Sequence, residues 1–503
     1  MALARLPNEM MEQIITCVIP EGFESAALTC RKLYTLCISF IKRYNTLRLR
    51  FQHFTYYERR SDPSISFRSS FDLIARIAVE PVIARYIVDA NFRCDSFFKS
   101  GQPREFKPKI PNDCGDAVRN LLADSTYLEA SDLDAREFYN AIEEDFEAKR
   151  YSQHAAAFLL TLLPNVKMLR LPKYWKPLEA TDKLIDTLVR RAKQSTQHLL
   201  ADRPSLAQVS RFGPSVSLGP QERCDLAWAS PFLALPHVRS FRGPSCVATS
   251  SDFGHDRTSS SKAPHHAGLG PSTLGAVHLV SCCISPAGIA GFLAHTPCLR
   301  TLRYSHCTKE GVDADWDICN FITAIERATG AHLEELSVSI CELRGEILPG
   351  KPSMHGFRRL RKLELPIEVA GCNSTAAAVS RIATPIISRM VGGGSIDHNN
   401  ELDDAEAFSI ADLVPSSVAQ LSLISAGTAQ DAMTLEVMFR DFSTRKDEMV
   451  PKLDEIHLSC SADSDDKYKE QCARIFMECE RGGTVCHLEL WPSSIRLTWD
   501  EGE

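Results

Sequence analysis

The chain has 503 residues, of which 44% are hydrophobic and 24% are charged, a composition typical of globular proteins rather than disordered ones. Its net charge of -7 and its pI near 6.1 do not provide the basic face of a nucleic-acid-binding protein, so we expect no nucleic-acid partner. A chain of this length is too long to fold around one hydrophobic core, so we expect several units or a repeat array.

No targeting or membrane-spanning segment is predicted. The N-terminus does not have the charged-then-apolar pattern of a signal peptide, because Asn8, Glu9 and Glu12 interrupt it. No stretch approaches the roughly 18 apolar residues of a membrane helix. We therefore expect an intracellular protein, cytoplasmic or nuclear, with no membrane partner.

The chain contains 18 cysteines, which in an intracellular protein are expected to be reduced and mostly buried. No Cys-x-x-Cys pair occurs, and the adjacent Cys282 and Cys283 have no ligand partners at suitable spacing. We therefore expect no metal site and no cofactor.

Three short amphipathic helices are predicted in residues 1–50. Apolar residues recur there at three- and four-residue steps, as from Met10 and again from Phe23. Pro7 suits a first helical turn, because its missing N–H would have no partner there. Three such helices bury little apolar surface, so the segment is expected to complete its core on a partner or on the rest of the chain.

This segment resembles the F-box family. It has Leu-Pro-x-Glu at residues 6–9, an apolar helix around Ile14, and Leu-x-Cys-Arg-x-Leu at residues 28–33. The resemblance implies docking on the Skp-type adaptor of a cullin-based ubiquitin ligase. The residues that match the family's docking and core positions are Leu6, Pro7, Ile14, Ile15, Leu28 and Leu33. The alternative is an ordinary helical cap packed on the domain behind it.

Residues 51–160 are predicted to form a helical connector. The segment 71–78 has helical periodicity, and Pro81 follows it as a stop. Residues 84–90 fit either a strand or a buried helix, since so short a run does not separate the two periods. Helical periodicity returns over residues 132–163.

Internal repeats characterise residues 161–503. The pattern Leu-x-x-Val-x-Leu-x-x-Cys that begins at Leu274 recurs, with conservative changes and the same internal spacing, at Leu299 and Leu333. Copies that keep only the strand part begin at Val166, Val238, Leu360, Val418 and Leu453. Alternate apolar residues of a short strand point inward, and a compact cysteine suits the turn that follows.

These repeats resemble cysteine-containing leucine-rich repeats. Residues 288–293 fit the return helix between strands, and Pro297 ends it. Because the copies are unevenly spaced, the expected fold class is α/β: a short N-terminal three-helix F-box-like unit, a helical connector and an irregular leucine-rich-repeat-like solenoid. The alternative is an α/β sheet domain without repeats, in which similar residues separate the strands from the helices.

Two insertions in the repeat region, near residues 243–272 and 391–406, are predicted to be disordered. The first is rich in Ser, Gly and Pro, and the second combines a glycine run with acidic residues. Such compositions bury too little apolar surface to order the chain.

The outward strand positions of the array are expected to bind a protein target, because alternate strand residues face opposite sides of a sheet. The candidates are His278, Arg303, Ser305, Ser337, Ser339, Glu364 and His457. Their mixed charge favours a protein ligand but identifies none. The alternative is that these residues only solvate an exposed sheet face.

No catalytic motif is found in the sequence. The glycine run at 392–394 has no lysine for a phosphate loop, and the Gly213 and Gly243 segments have no closing glycine for a nucleophile elbow. We therefore expect a non-catalytic substrate-recognition subunit of a Skp-cullin-F-box ubiquitin ligase, with a Skp-type adaptor, a cullin scaffold and an unidentified protein substrate as partners. The alternatives are a leucine-rich-repeat scaffold with no ubiquitin role and an unrecognised hydrolase.

Overall fold

The computed structural model describes residues 6–56, 67, 69–96, 115–148, 150–173, 175–176, 178–194, 203–249, 273–371 and 409–491. These residues form two compact units. The first contains the described residues up to 216 together with 228–241 and 273, and the second contains 217–227, 242–249 and those from 274 onward. Both combine helices with parallel strands, so the expected α/β class is confirmed.

The strands are short and pair in parallel. They are β1 (His53–Thr55), β2 (Asp89–Asn91), β3 (Met168–Arg170), β4 (Arg211–Gly213), β5 (Cys224–Asp225), β6 (Ser240–Pro244), β7 (Cys246–Ala248), β8 (Ala276–Ile284), β9 (Thr301–Cys307), β10 (Glu335–Glu342), β11 (Lys362–Pro366), β12 (Gln420–Ile424), β13 (Glu455–Ser461) and β14 (Val485–Trp491).

The helices range from one turn to almost six. They are α1 (Asn8–Val18), α2 (Phe23–Thr29), α3 (Arg31–Phe51), α4 (Ser70–Val79), α5 (Val82–Tyr86), α6 (Gly115–Ala123), α7 (Thr126–Ala130), α8 (Ala135–Glu147), α9 (Gln153–Leu160), α10 (Glu179–Gln194), α11 (Ser230–Leu233), α12 (Pro286–Leu293), α13 (Ile318–Thr329), α14 (Ile410–Leu413), α15 (Ala429–Met438), α16 (Phe442–Met449) and α17 (Asp466–Arg481). None of these described helices is long and apolar enough to cross a bilayer.

In the first unit, helices α1 to α10 accompany a parallel sheet in the order β1-β2-β3-β4, and the first two residues of β6 pair with β4. The helix predicted over residues 71–78 is α4, and its N-cap Ser69 accepts a hydrogen bond from the Asp72 N–H, which satisfies one first-turn donor. The connector also supplies β1 and β2, where Phe54 and Ala90 are buried between more exposed neighbours. That alternation is the strand period, so the connector is not purely helical.

A carboxyl group is buried inside the first unit. Asp95, in the 3-10 helix Arg93–Ser96, accepts a hydrogen bond from the Ser70 N–H at 2.8 Å and another from the Ser70 hydroxyl. The Tyr56 hydroxyl donates to the same Ser70 oxygen at 3.1 Å. Asp95 therefore anchors the first residue of α4 from within the core.

In the second unit, seven adjacent strands follow the chain order β8 to β14, and β7 lies between β5 and β8. The repeat copies align strand by strand: Val277 pairs with Leu302, which pairs with Leu336. The alignment continues through Leu363, Leu421 and Ile456, and all of these side chains are buried. The strands predicted from the repeat spacing are confirmed.

Helices return the chain between several of these strands. The predicted helix at 288–293 lies in α12, whose N-cap Ser285 accepts a hydrogen bond from the Gly288 N–H at 3.0 Å. A Cβ at Gly288 would lie only 2.6 Å from the Ala248 carbonyl oxygen. Glycine at this position therefore allows α12 to approach β7 at backbone distance.

The strand pairing becomes irregular at the C-terminal ends of β8 to β10, where the repeat pattern places its cysteine. The pairing of β8 with β9 shifts between Leu279 and Cys282, where Ser281 has φ 55°, and β9–β10 pairing shifts near Glu342. Such bulges insert an unpaired residue and displace everything after it. As a result Cys282 pairs with His306 rather than with Cys307.

The first predicted insertion is partly ordered. Residues 246–248 form β7, with Cys246 and Ala248 buried. They are ordered because β7 pairs with β5 and β8 on its two sides. The expectation of disorder is therefore wrong for this stretch, while residues 250–272 and the insertion near 391–406 lie outside the described residues.

An aromatic cluster fills the second unit beneath β9. The Phe321 ring of α13 lies 4.5 Å from the Tyr304 ring and 5.8 Å from the Trp316 ring, centroid to centroid. All three side chains are buried. The Tyr304 hydroxyl, the one polar atom of that ring, lies 3.1 Å from the Cys282 carbonyl oxygen and receives the Ile284 N–H at 3.2 Å.

Candidate functional site

One residue from each of seven strands forms a polar row across the second unit. Parallel pairing places them opposite one another in sequence from β8 to β14. The polar row consists of His278, Arg303, Ser337, Glu364, Ser422, His457 and His487. Since adjacent strands are about 4.8 Å apart, the row spans roughly 29 Å.

The polar row contains five of the seven residues predicted to bind a target. His278, Arg303, Glu364 and His457 are partly exposed, whereas Ser337 is buried. The remaining two, Ser305 and Ser339, pair with each other in the next outward position and are also buried.

The three serines are therefore not the exposed contacts that strand alternation predicts. Ser305 Oγ receives the Ser281 N–H at 3.0 Å, and Ser337 Oγ donates to Glu364 Oε1 at 2.5 Å. Ser305 pairs with Ser339 across β9 and β10, and its hydrogen bond from Ser281 comes from the bulged residue of β8. Of the target-binding candidates, His278, Arg303, Glu364 and His457 reach the surface.

Burial and neighbouring charges shift the pKa values of two residues in the polar row, His278 and Glu364. Burial lowers the pKa of His278, and the positive charges of Arg303 and Arg242 lower it further. Burial raises the pKa of Glu364, while the Ser337 hydrogen bond and Arg303 oppose the rise. His278 therefore favours the neutral form beside the permanent charge of Arg303.

The β13–β14 end of the row holds a cluster of imidazoles and carboxylates. Glu455 Oε1 lies 3.0 Å from His457 Nε2 and 3.2 Å from His487 Nε2. On its other side, His457 Nδ1 lies 3.1 Å from Glu489 Oε1. The ligand-type atoms of Glu455, His457 and His487 all lie within 4.8 Å of one another, so these residues could hold a metal ion.

The sequence pattern predicts only His457 of this cluster. It does not predict Glu455, His487 or Glu489, because the pairing of β13 with β14 is what brings them together. The available signal was the alternation Glu-x-His in β13 and His-x-Glu in β14. Either motif alone resembles any solvated strand face.

The N-terminal candidates divide between core and surface. Ile15 and Leu33 are buried, Leu6 and Ile14 are partly exposed, and Pro7 and Leu28 are exposed. Leu28 is 83% exposed, an unusual fraction for so large an apolar side chain. The six candidates therefore include residues that build the three-helix segment and residues that face outward from it.

A hydrogen bond connects the start of α1 with the start of α3. The Lys32 ammonium donates to the Leu6 carbonyl oxygen at 2.9 Å, which connects the chain entering α1 with the first turn of α3. Leu28 lies at the end of α2, immediately before α3. The Leu-Pro and Leu-x-Cys-Arg parts of the motif are thus brought together through this bond.

Searches of protein-family models, of curated proteins and of solved structures found no match to this chain.

Proposed function

We propose that this protein is the substrate-recognition subunit of a Skp-cullin-F-box ubiquitin ligase. In this proposal α1 to α3 dock on the Skp-type adaptor, and the second unit holds a protein target through its polar row. The observation that carries the proposal is the exposure of apolar side chains on α1 to α3, beginning with Leu28.

The exposed apolar residues accompany a formed core. Met11, Ile15, Phe23, Leu33 and Cys37 are buried among the three helices. The large apolar side chains that remain exposed on the same helices are Met10, Leu28, Tyr34, Ile38 and Leu49. Tyr34 and Ile38 are four residues apart on α3 and therefore share one face of that helix. A contiguous apolar face on a folded segment is typical of a binding site for another protein.

The helical segment is anchored to the rest of the first unit. Glu21, in the turn after α1, pairs with Arg85 at 2.5 Å and receives a hydrogen bond from the Asn165 amide at 2.5 Å. Arg43 of α3 pairs with Glu80 at 2.6 Å. These contacts fix the orientation of α1 to α3 on the first unit, as a tethering subunit requires.

The second unit supports the repeat part of the proposal. Its strands run parallel in chain order with matched apolar rows, and helices return the chain between several of them. This arrangement is what leucine-rich-repeat-like stacking produces, since each repeat covers the apolar side of its neighbour. The polar row would then lie along the strand face that such arrays use for binding.

The proposed mechanism is tethering. A target bound to the polar row would be held near the ubiquitin-charged enzyme that the adaptor and cullin position. The effective concentration of the target lysine rises without any catalytic group in this chain.

Replacing Leu28 by Asp should abolish co-purification of the full-length chain with a Skp-type adaptor. The side chain is 83% exposed, so the charge costs the fold little but places an unpaired carboxylate in an apolar interface. The measurement is the amount of adaptor recovered with the tagged chain, compared with wild type.

The matched control is Met433→Asp. Met433 is a large apolar residue that is 54% exposed on α15 of the second unit, outside the proposed docking helices, so this variant should retain the adaptor. Equal recovery with the Leu28 and Met433 variants would refute adaptor docking through the α1 to α3 surface. The chain would then be interpreted as a leucine-rich-repeat-like scaffold with no role in ubiquitin transfer.

A further inference from the structure

We propose that Glu455, His457 and His487 form a binding site for a divalent transition-metal ion, with Zn²⁺ as the best match. The site lies on the exposed face of β13 and β14. It is independent of the adaptor-docking surface on α1 to α3.

Two of the three donor–donor distances are close to those of tetrahedral coordination, and all three are within 4.8 Å. Two ligands about 2.0–2.2 Å from a tetrahedral zinc ion are separated by about 3.3–3.6 Å. Glu455 Oε1 is 3.0 Å from His457 Nε2 and 3.2 Å from His487 Nε2, within a few tenths of an ångström of that value. His487 is exposed, so its side chain can rotate to adjust the remaining distance to His457.

Glu489 provides the outer support that metal-binding histidines usually have. His457 Nδ1 lies 3.1 Å from Glu489 Oε1, and the other oxygen of that carboxylate accepts a hydrogen bond from Ser459 Oγ at 3.2 Å. When the Nδ1–H group of His457 donates a hydrogen bond to Glu489, the unprotonated nitrogen of the ring is Nε2. This nitrogen faces Glu455 and carries the lone pair that would bind a metal ion. This carboxylate–histidine arrangement fixes the ring and the tautomer needed for coordination.

Water or the Gln420 side chain would complete a four-coordinate site. The Gln420 side-chain nitrogen lies 3.0 Å from His457 Nε2, and turning the amide would present its oxygen instead. Two imidazoles and one carboxylate select Zn²⁺, Ni²⁺ or Cu²⁺ over Mg²⁺ or Ca²⁺, which prefer oxygen ligands.

The test is calorimetric titration of the chelator-treated full-length chain with zinc chloride. We expect a site of micromolar affinity or tighter in the wild type and at least a tenfold weaker site in His487→Ala. Glu489→Gln should weaken binding by about tenfold, because it removes the charge that supports His457. Binding should also weaken on acidification, since protons compete for the imidazole nitrogens.

The control is His278→Ala, in the same polar row but six strands away from His487. It should bind zinc as the wild type does. The exposed thiols of Cys17 and Cys298 are present in every variant, so the difference between variants isolates the proposed site. The proposal fails if wild type takes up no zinc, if His487→Ala binds as tightly as wild type, or if His278→Ala loses the same affinity.

Discussion

Raising the pH from about 4 to above 7 should destabilise the first unit by about 4 kcal/mol through Asp95 alone. Burial raises the pKa of the Asp95 carboxyl from 3.8 to about 7, and the hydrogen bonds from Ser70 only partly oppose this effect. The unfolded chain releases the proton near its ordinary pKa, whereas the folded chain keeps it until about 7. The stability is therefore fully present below the unfolded pKa and is lost as pH rises through the folded value.

The measurement is hydrogen exchange of peptides from α4, followed across this pH range after correction for intrinsic exchange rates. Asp95→Asn, which cannot ionise, should remove this part of the pH dependence. Asp116→Asn is the control, because its carboxylate is 93% exposed and should leave the profile unchanged. An Asp95→Asn profile that matches the wild type would show that Asp95 does not titrate in this window.

Replacing Phe321 by Ala should destabilise the second unit by about 3–5 kcal/mol. The ring is fully buried against Tyr304 and Trp316. Its removal forfeits the transfer energy of the side chain and leaves a cavity that packed aromatic neighbours fill only in part. Urea unfolding, monitored by hydrogen exchange in β9 and β10, measures the loss locally.

Two further variants check that interpretation. Phe321→Leu should lose less than the alanine variant, because it retains much of the volume. Met477→Ala, at a position 52% exposed on α17, should cost well under 1 kcal/mol, as surface substitutions usually do. A loss below about 1 kcal/mol for Phe321→Ala would contradict the cavity argument.

The parallel strands of the second unit could be predicted because their information is local. Each copy carries apolar residues at the same short spacing, such as Leu333, Leu336 and Val338. This spacing within a copy does not depend on the number of residues between copies. The structure buries all three. The bulge at Ser281 could not be predicted this way, since its φ of 55° depends on the strands packed on either side.

The candidate sites depend on contacts that one strand or helix does not encode. Ser305 and Ser339 satisfy the alternation for outward residues, yet both are buried. Strand alternation predicts His457, but its partners Glu455 and His487 become neighbours only through the register of β13 and β14. The raised pKa of Asp95 follows from the burial of its carboxyl group. That burial depends on packing against other elements, such as the first turn of α4 at Ser70.

Among the described strands, β14 pairs only with β13. In a stack where each layer depends on its neighbour, such an end is where fraying begins. A bound ion that bridges His457 and His487 would exist only while both strands are docked, so its binding energy would be added to the cohesion of that end. Bound metal would then slow the separation of β14 from β13. The rate of that separation would depend on the concentration of free metal.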